Sequence, residues 1–229
     1  MIQEALLLTL NADEGAVLRL VSQRAGLVPR LFTDPTALTV TARQETARAI
    51  LLAYPRREAL LPLVRQLSEE SEALLIVIGD PLPENDWAAL LDAGADLVIC
   101  RPFSSRLLIA QLRALLRRTS TIPVHALPVL AVEGISLDPA NYTVTTEEQG
   151  THRLTQLEFR LLYVLMNHAG QTLSVEQIIE HVWGFGGRGS RDLVRGLIKR
   201  LRSKIETNPN QPQRILTVRG VGYRFYRSM

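Results

Sequence analysis

The chain is poor in the features that mark secreted, membrane-bound and metal-dependent proteins. It has one cysteine, Cys100, in 229 residues. A lone thiol cannot close an internal disulfide, which excludes a disulfide-stapled fold and fits a reducing cytoplasm. No apolar run approaches the roughly 18 residues that a membrane-crossing helix needs. The opening stretch, MIQEALLLTL, has no basic region and carries Glu4 ahead of its apolar run, so it reads as a poor secretory signal. The four histidines, His125, His152, His168 and His181, show no metal-ligand spacing with cysteine or carboxylates. No Ser/His/Asp arrangement emerges. The expectation is a cytoplasmic protein that is not an enzyme and carries no cofactor or metal. Gly184 to Gly189 does match the string G-x-G-x-x-G. A dinucleotide fingerprint, however, needs a preceding strand and an acid about 20 positions later, and this stretch lies between two helical patterns.

Lysine is scarce too: Lys199 and Lys204 are the only two, so arginine supplies almost all positive charge. That charge is unevenly spread. Residues 1–118 hold 13 basic and 14 acidic side chains, against 13 and 9 in 119–229. Between 188 and 227 there are 11 basic residues and 2 acidic ones. So dense a patch attracts phosphate backbones in a salt-sensitive way. It centres on 190–206, SRDLVRGLIKRLRSKIE. Leu193, Leu197, Leu201 and Ile205 recur every fourth residue, the stripe of a helix with one buried face. Arg191, Arg195, Lys199 and Arg202 form a row on another face. Alone, that row fits a solvated surface as well as a polyanion site; its neighbours in sequence decide.

Residues 1–118 predict five strand–helix pairs. Apolar runs of strand length lie at 5–10, 27–32, 49–54, 73–78 and 96–100, and helical patterns at 13–25, 35–46, 57–69, 84–93 and 105–118. Continuous apolar strands alternating with helices imply an α/β doubly wound, five-stranded parallel sheet covered on both faces. Its functional crevice is expected at the carboxyl ends of the strands. The stretch TSTIPVHALP has two prolines and no charge, which predicts a linker over 119–127.

From 128 to 229 the pattern changes. Short segments at 129–132, 135–138, 142–146 and 151–154 are broken by Gly134, Pro139 and Gly150, as in antiparallel strands. Thr155 with Glu158, and Ser174 with Gln177, fit the capping box that starts a helix. The basic helix comes third. After it, 214–218 and 223–226 flank Arg219-Gly220-Val221-Gly222, a tight hairpin. Three helices and a hairpin make an α+β winged helix, whose third helix enters the major groove while the hairpin arginine reaches a neighbouring groove.

Both halves resemble one family. The segment AGADLVICRPF (93–103) and the helix ending LRALLRR (112–118) are similar to the receiver domain of bacterial response regulators, a flavodoxin-like fold. LTQLEFRLLYVL (154–165), LSVEQIIEHVWG (173–184), VRGLIKRLRSKIE (194–206) and PQRILTVRGVGYRF (212–225) resemble the effector domain of OmpR/PhoB-type regulators. The second resemblance implies groove and phosphate contacts at Trp183, Arg195, Gly196, Lys199, Arg200, Arg202, Thr217, Arg219 and Tyr223, to which the basic row adds Arg191. Trp183 and Tyr223 read equally well as core aromatics, and Thr217 as a residue of strand propensity. Where the family often has Asp-Val-His on this helix, Arg195-Gly196-Leu197 stands here, so base preference does not carry over. The resemblance further implies double-stranded DNA with direct-repeat half-sites. It also implies RNA polymerase facing the 184–189 loop, and a homodimer through the fourth helix, fifth strand and fifth helix.

The first resemblance implies a site that these residues do not complete. The family's phosphoacceptor Asp falls on Ala53, its two metal-holding acids on Asn11 and Ala12, its hydroxyl on Gly79 and its Lys on Arg101. Asp13 and Asp80 lie next door. Phosphoacceptor and metal site are therefore expected to be absent. The receiver-like half is then expected to be a fixed dimerisation module, with a ligand- or partner-gated crevice as the alternative. Leu107 and Gln111 stand where the family's dimer face has a Glu and an Arg, which suggests a less polar contact. Cys100 reads as a buried structural cysteine, with a redox sensor beside Arg101 as the alternative.

Overall fold

The computed structural model of the chain describes residues 3–54, 57–120, 129–183 and 190–227. Two compact units divide it, Met1–Leu116 and Arg117–Met229.

In the first unit β1 (Glu4–Thr9), α1 (Ala12–Arg24), β2 (Val28–Phe32), α2 (Pro35–Gln44) and β3 (Ala49–Ala53) are followed by α3 (Arg57–Glu70), β4 (Leu74–Gly79), α4 (Glu84–Ala93), β5 (Leu97–Cys100) and α5 (Ser105–Ser120). The sheet is parallel throughout, in the order β2-β1-β3-β4-β5. Every residue of β3 and β4 is buried, and β1 is buried from Ala5 onward, because helices cover both faces. Leu6, Leu7, Leu51, Leu52, Ile76 and Ile78 are wholly enclosed, and each stabilises the fold by roughly 1.5–3 kcal/mol relative to exposure. The edge strands β2 and β5 are partly open. Local chemistry sets the helix starts. Asn11 caps α1 by accepting from the Glu14 amide at 3.0 Å, and Asp34 caps α2 with Pro35 as its first residue. The expected strand–helix pairs all form, with ends shifted by a residue or two. Thr119 and Ser120 belong to α5 rather than to the expected linker; residues 121–127 lie outside the described residues.

The second unit opens with a four-stranded antiparallel sheet of β6 (Leu130–Val132), β7 (Ile135–Asp138), β8 (Thr143–Thr146) and β9 (Gly150–Arg153). Then come α6 (Gln156–Asn167), β10 (Thr172–Ser174), α7 (Val175–Val182), α8 (Ser190–Ile205), β11 (Ile215–Val218) and β12 (Gly222–Phe225). Both expected capping boxes are present, on Thr155 and on Ser174. Strand β10 has no counterpart in the sequence reading, because three residues are too few to show a period of two. It pairs with β12, giving the order β10-β12-β11. The close approach rests on Gly222: a Cβ there would lie 2.0 Å from the Leu173 carbonyl oxygen. Glu206, buried past the end of α8, accepts from the amides of Gln213 (2.9 Å), Arg214 (3.0 Å) and Ile215 (2.8 Å). It thereby fixes where the hairpin leaves the helix. Gly222→Ala is expected to destabilise the second unit by about 3 kcal/mol or more, since the clash is with backbone. Denaturant unfolding followed by Trp183 fluorescence measures it; an unchanged midpoint would contradict the β10–β12 packing.

Candidate nucleic-acid interface

Helix α8 does not present all of its cations alike. Its apolar face, Val194, Leu197, Ile198, Leu201 and Ile205, is buried. On the opposite face Arg191, Arg195 and Lys199 are exposed. Arg191 is the most open, its side chain 83% exposed with the Glu176 carboxylate 3.7 Å away. Arg195 lies 2.9 Å from the Asp192 carboxylate one turn earlier.

Three of the residues expected at the interface are largely enclosed. Arg200 turns inward: its side chain is 11% exposed and its Nε donates to Glu158 Oε1 at 3.2 Å. Lys204 meets the same carboxylate at 2.7 Å and also donates to the Arg153 carbonyl at 2.9 Å. Pairing with this carboxylate leaves little of the Arg200 guanidinium at the surface. Trp183 is 1% exposed; it ends α7 as its C-cap and its ring belongs to the core. Gly196 is buried as well.

Arg202 ties the helix to the hairpin. Its guanidinium donates to the Ile215 carbonyl (3.1 and 2.6 Å) and to Thr217 Oγ1 (2.9 Å), and its carbon lies 5.9 Å from the centre of the Tyr223 ring. Thr217 and Tyr223 face each other across β11 and β12, so Arg202 braces the pair. Beyond them the turn closes through the Val221 amide and the Val218 carbonyl, 3.0 Å apart, with Gly220 at φ 77°. That leaves Arg219 exposed at the tip. The face assembled here is Arg191, Arg195 and Lys199 on α8, with Arg219 on the hairpin and Thr217 exposed between them.

In the first unit the carboxyl ends of β1, β3 and β4 open into a crevice of about 670 Å³, lined among others by Thr9, Asn11, Asp13, Ala53, Asp80 and Arg101. Its central acid is one the sequence reading passed over. Asn11 is consumed as the α1 cap, and the first turn of the helix brings Glu14 into the crevice instead. Arg101 grips Glu14 with two parallel bonds, Nε to Oε1 at 2.7 Å and an Nη to Oε2 at 2.9 Å. Asp80 stands 3.5 Å from the same guanidinium. Hydrogen bonding to Glu14 outweighs partial burial and raises the Arg101 pKa. Ala53 ends β3. Where a Cβ of residue 79 would stand, the Trp87 ring lies 3.2 Å away, so a ring from α4 covers the end of β4. Cys100 is exposed, not buried as expected, because β5 is an edge strand that opens at its carboxyl end. Leu107 is 57% exposed, whereas Gln111 is half-buried with its Oε1 enclosed.

Burial pushes the Glu158 pKa up, but Lys204, Arg200 and the hydrogen bonds to it outweigh that and hold it below the ordinary 4.5. A depressed folded-state pKa adds stability above the unfolded-state value and loses it as pH falls through the folded one. Glu158→Gln should therefore cost the second unit about 2–3 kcal/mol at neutral pH, allowing for the partial exposure of both cations. The gap to the unaltered protein should narrow below pH 4.5. Denaturant melts at several pH values measure it, and a gap constant down to strongly acidic pH would show that the ion pairs are not its source.

Residues 148–225 match the family described as "Transcriptional regulatory protein, C terminal". The chain is 36% identical over 165 residues to the KDP operon transcriptional regulatory protein KdpE of Escherichia coli, a match covering 72% of each. It is 30% identical to the DNA-binding response regulator MtrA of Mycobacterium leprae across 97% of both chains. Among solved structures a RitR mutant, 24% identical, superposes with a TM-score of 0.75 over 99% of this chain and 100% of that one, a likeness of fold. Sheet order, capped helices, hairpin and end-to-end relatives agree: the chain belongs to the OmpR/PhoB family of DNA-binding transcriptional response regulators.

Proposed function

We propose that this chain is a sequence-specific, non-enzymatic transcription regulator that acts in the cytoplasm without phosphorylation of its receiver-like unit. The Arg101–Glu14 pair carries the reading. Ala53 offers a methyl group where a phosphoryl acceptor is needed, and Glu14 already spends both oxygens on a guanidinium. A hard divalent cation, which needs six or so oxygen ligands, finds few free ones beside it. With Trp87 over the end of β4, the crevice is held in one arrangement and has no phosphate-driven second state.

On this reading α8 lies in the major groove of double-stranded DNA through Arg191, Arg195 and Lys199, and Arg219 reaches the neighbouring groove. Two copies bind directly repeated half-sites about one helical turn apart, in keeping with the usual half-site spacing. RNA polymerase is the further partner, through the 184–189 loop, which lies outside the described residues. The receiver-like units pair through α4, β5 and α5. The open edge of β5 and exposed Leu107 support a contact that is apolar and permanent. A second reading, gating by a small ligand or a partner protein, is favoured by the openness of the crevice beside Asp13, Asp80 and Thr9. Thermal-shift screening of the full chain with cellular metabolites separates the two: a stabiliser that Arg101→Ala abolishes favours gating.

Acetyl phosphate with Mg²⁺ should leave both mass and DNA affinity unchanged; one added phosphoryl group overturns the reading of Ala53. Sedimentation should give a dimer at micromolar concentration without DNA. Arg219→Ala should weaken DNA binding by about 1–3 kcal/mol at matched salt, and equal affinity would remove the hairpin from the interface.

A further inference from the structure

We propose that Arg195 reads a guanine and that Asp192 is the residue that positions it, an inference resting on the DNA-binding role above. The exposed cations of α8 differ in what holds them. Arg191 has its nearest carboxylate, Glu176, at 3.7 Å, beyond hydrogen-bond reach. Lys199 carries a compact charge with no fork. Arg195 alone among these three is a planar guanidinium held at hydrogen-bond distance by a carboxylate of its own helix, 2.9 Å from Asp192 Oδ1. A guanidinium has five N–H donors, so an ion pair with Asp192 through one Nη leaves a pair of donors for a two-point contact with guanine N7 and O6.

Position and charge agree with this role. Asp192 and Arg195 lie in the first two turns of α8, the end of a recognition helix that reaches base edges. Asp192 is half-buried and Arg195 is 64% exposed, so the carboxylate stands behind the guanidinium and leaves its outer edge open. The carboxylate also offsets the charge of Arg195, weakening it as a phosphate anchor while narrowing the directions its fork can take. Such a residue adds little non-specific attraction and much directional preference.

The test is site selection by the full chain from a random duplex library, repeated with Arg195→Ala, Arg195→Lys and Asp192→Asn. The unaltered protein should select a motif in which one column of each half-site prefers guanine on the order of ten- to a hundredfold. Arg195→Ala should abolish that preference while the other columns persist. Arg195→Lys should keep part of it, having donors but no fork. Asp192→Asn should lower the preference in the same column by a smaller factor. An Arg195→Ala protein that weakens evenly and keeps every column overturns the proposal, as does an Asp192→Asn protein whose change falls in a different column, which would make Asp192 itself the base contact. If the unaltered protein selects no motif, the DNA-binding reading fails with it; a motif unmoved by Arg195→Ala defeats this inference alone.

Discussion

One buried carboxylate sets which charges helix α8 can offer at its surface. Glu158 completes the cap of α6 by accepting from the Thr155 amide at 2.9 Å. Its two oxygens also receive Arg200 and Lys204 from the middle and end of α8. A lone ionised carboxylate in a protein core is costly, and a pair of cations with a backbone donor is what makes its burial tolerable. The same contacts withdraw two positive charges from the surface. Arg202 is drawn off as well, toward the Ile215 carbonyl and Thr217. The cationic row that reaches solvent is thus Arg191, Arg195 and Lys199, narrower than the sequence suggests.

The receiver-like unit follows the same logic with a different outcome. Its sheet is wholly apolar at the centre, so charge collects where the strands end. There Arg101 and Glu14 neutralise one another by two short bonds. A divalent cation entering that crevice must first displace a guanidinium whose fork matches a carboxylate better than a lysine's point charge does. The replacement of a hydroxyl position by Gly79, covered by Trp87, removes a further polar partner. Together these contacts favour a single resting arrangement of the crevice.

Much of the fold was legible because its signals are local. The apolar runs of the five parallel strands, the capping boxes at Thr155 and Ser174, and the four-residue spacing of Leu193, Leu197 and Leu201 each act within a few residues. Strand β10 was not legible, since its three residues earn their assignment from a partner about 50 positions away, where only a glycine at 222 permits the approach. Trp183 and Gly196 sit inside motifs that imply contact, and both are buried. A motif states which residue types occur together, while exposure depends on what packs against them.

The sequence by itself determined the class of both units, the order of their elements and the concentration of positive charge on the third helix of the second. Helix period, capping and turn chemistry depend on neighbours along the chain. Only the tertiary structure decided which charges remain available. Glu158 and Arg200 are 42 residues apart, and Glu14 and Arg101 are 87 apart. No local pattern links such partners. An ion pair forms where the fold brings two side chains within about 3 Å in a site poor in water, and whether a cation faces solvent or a buried carboxylate is settled by that proximity.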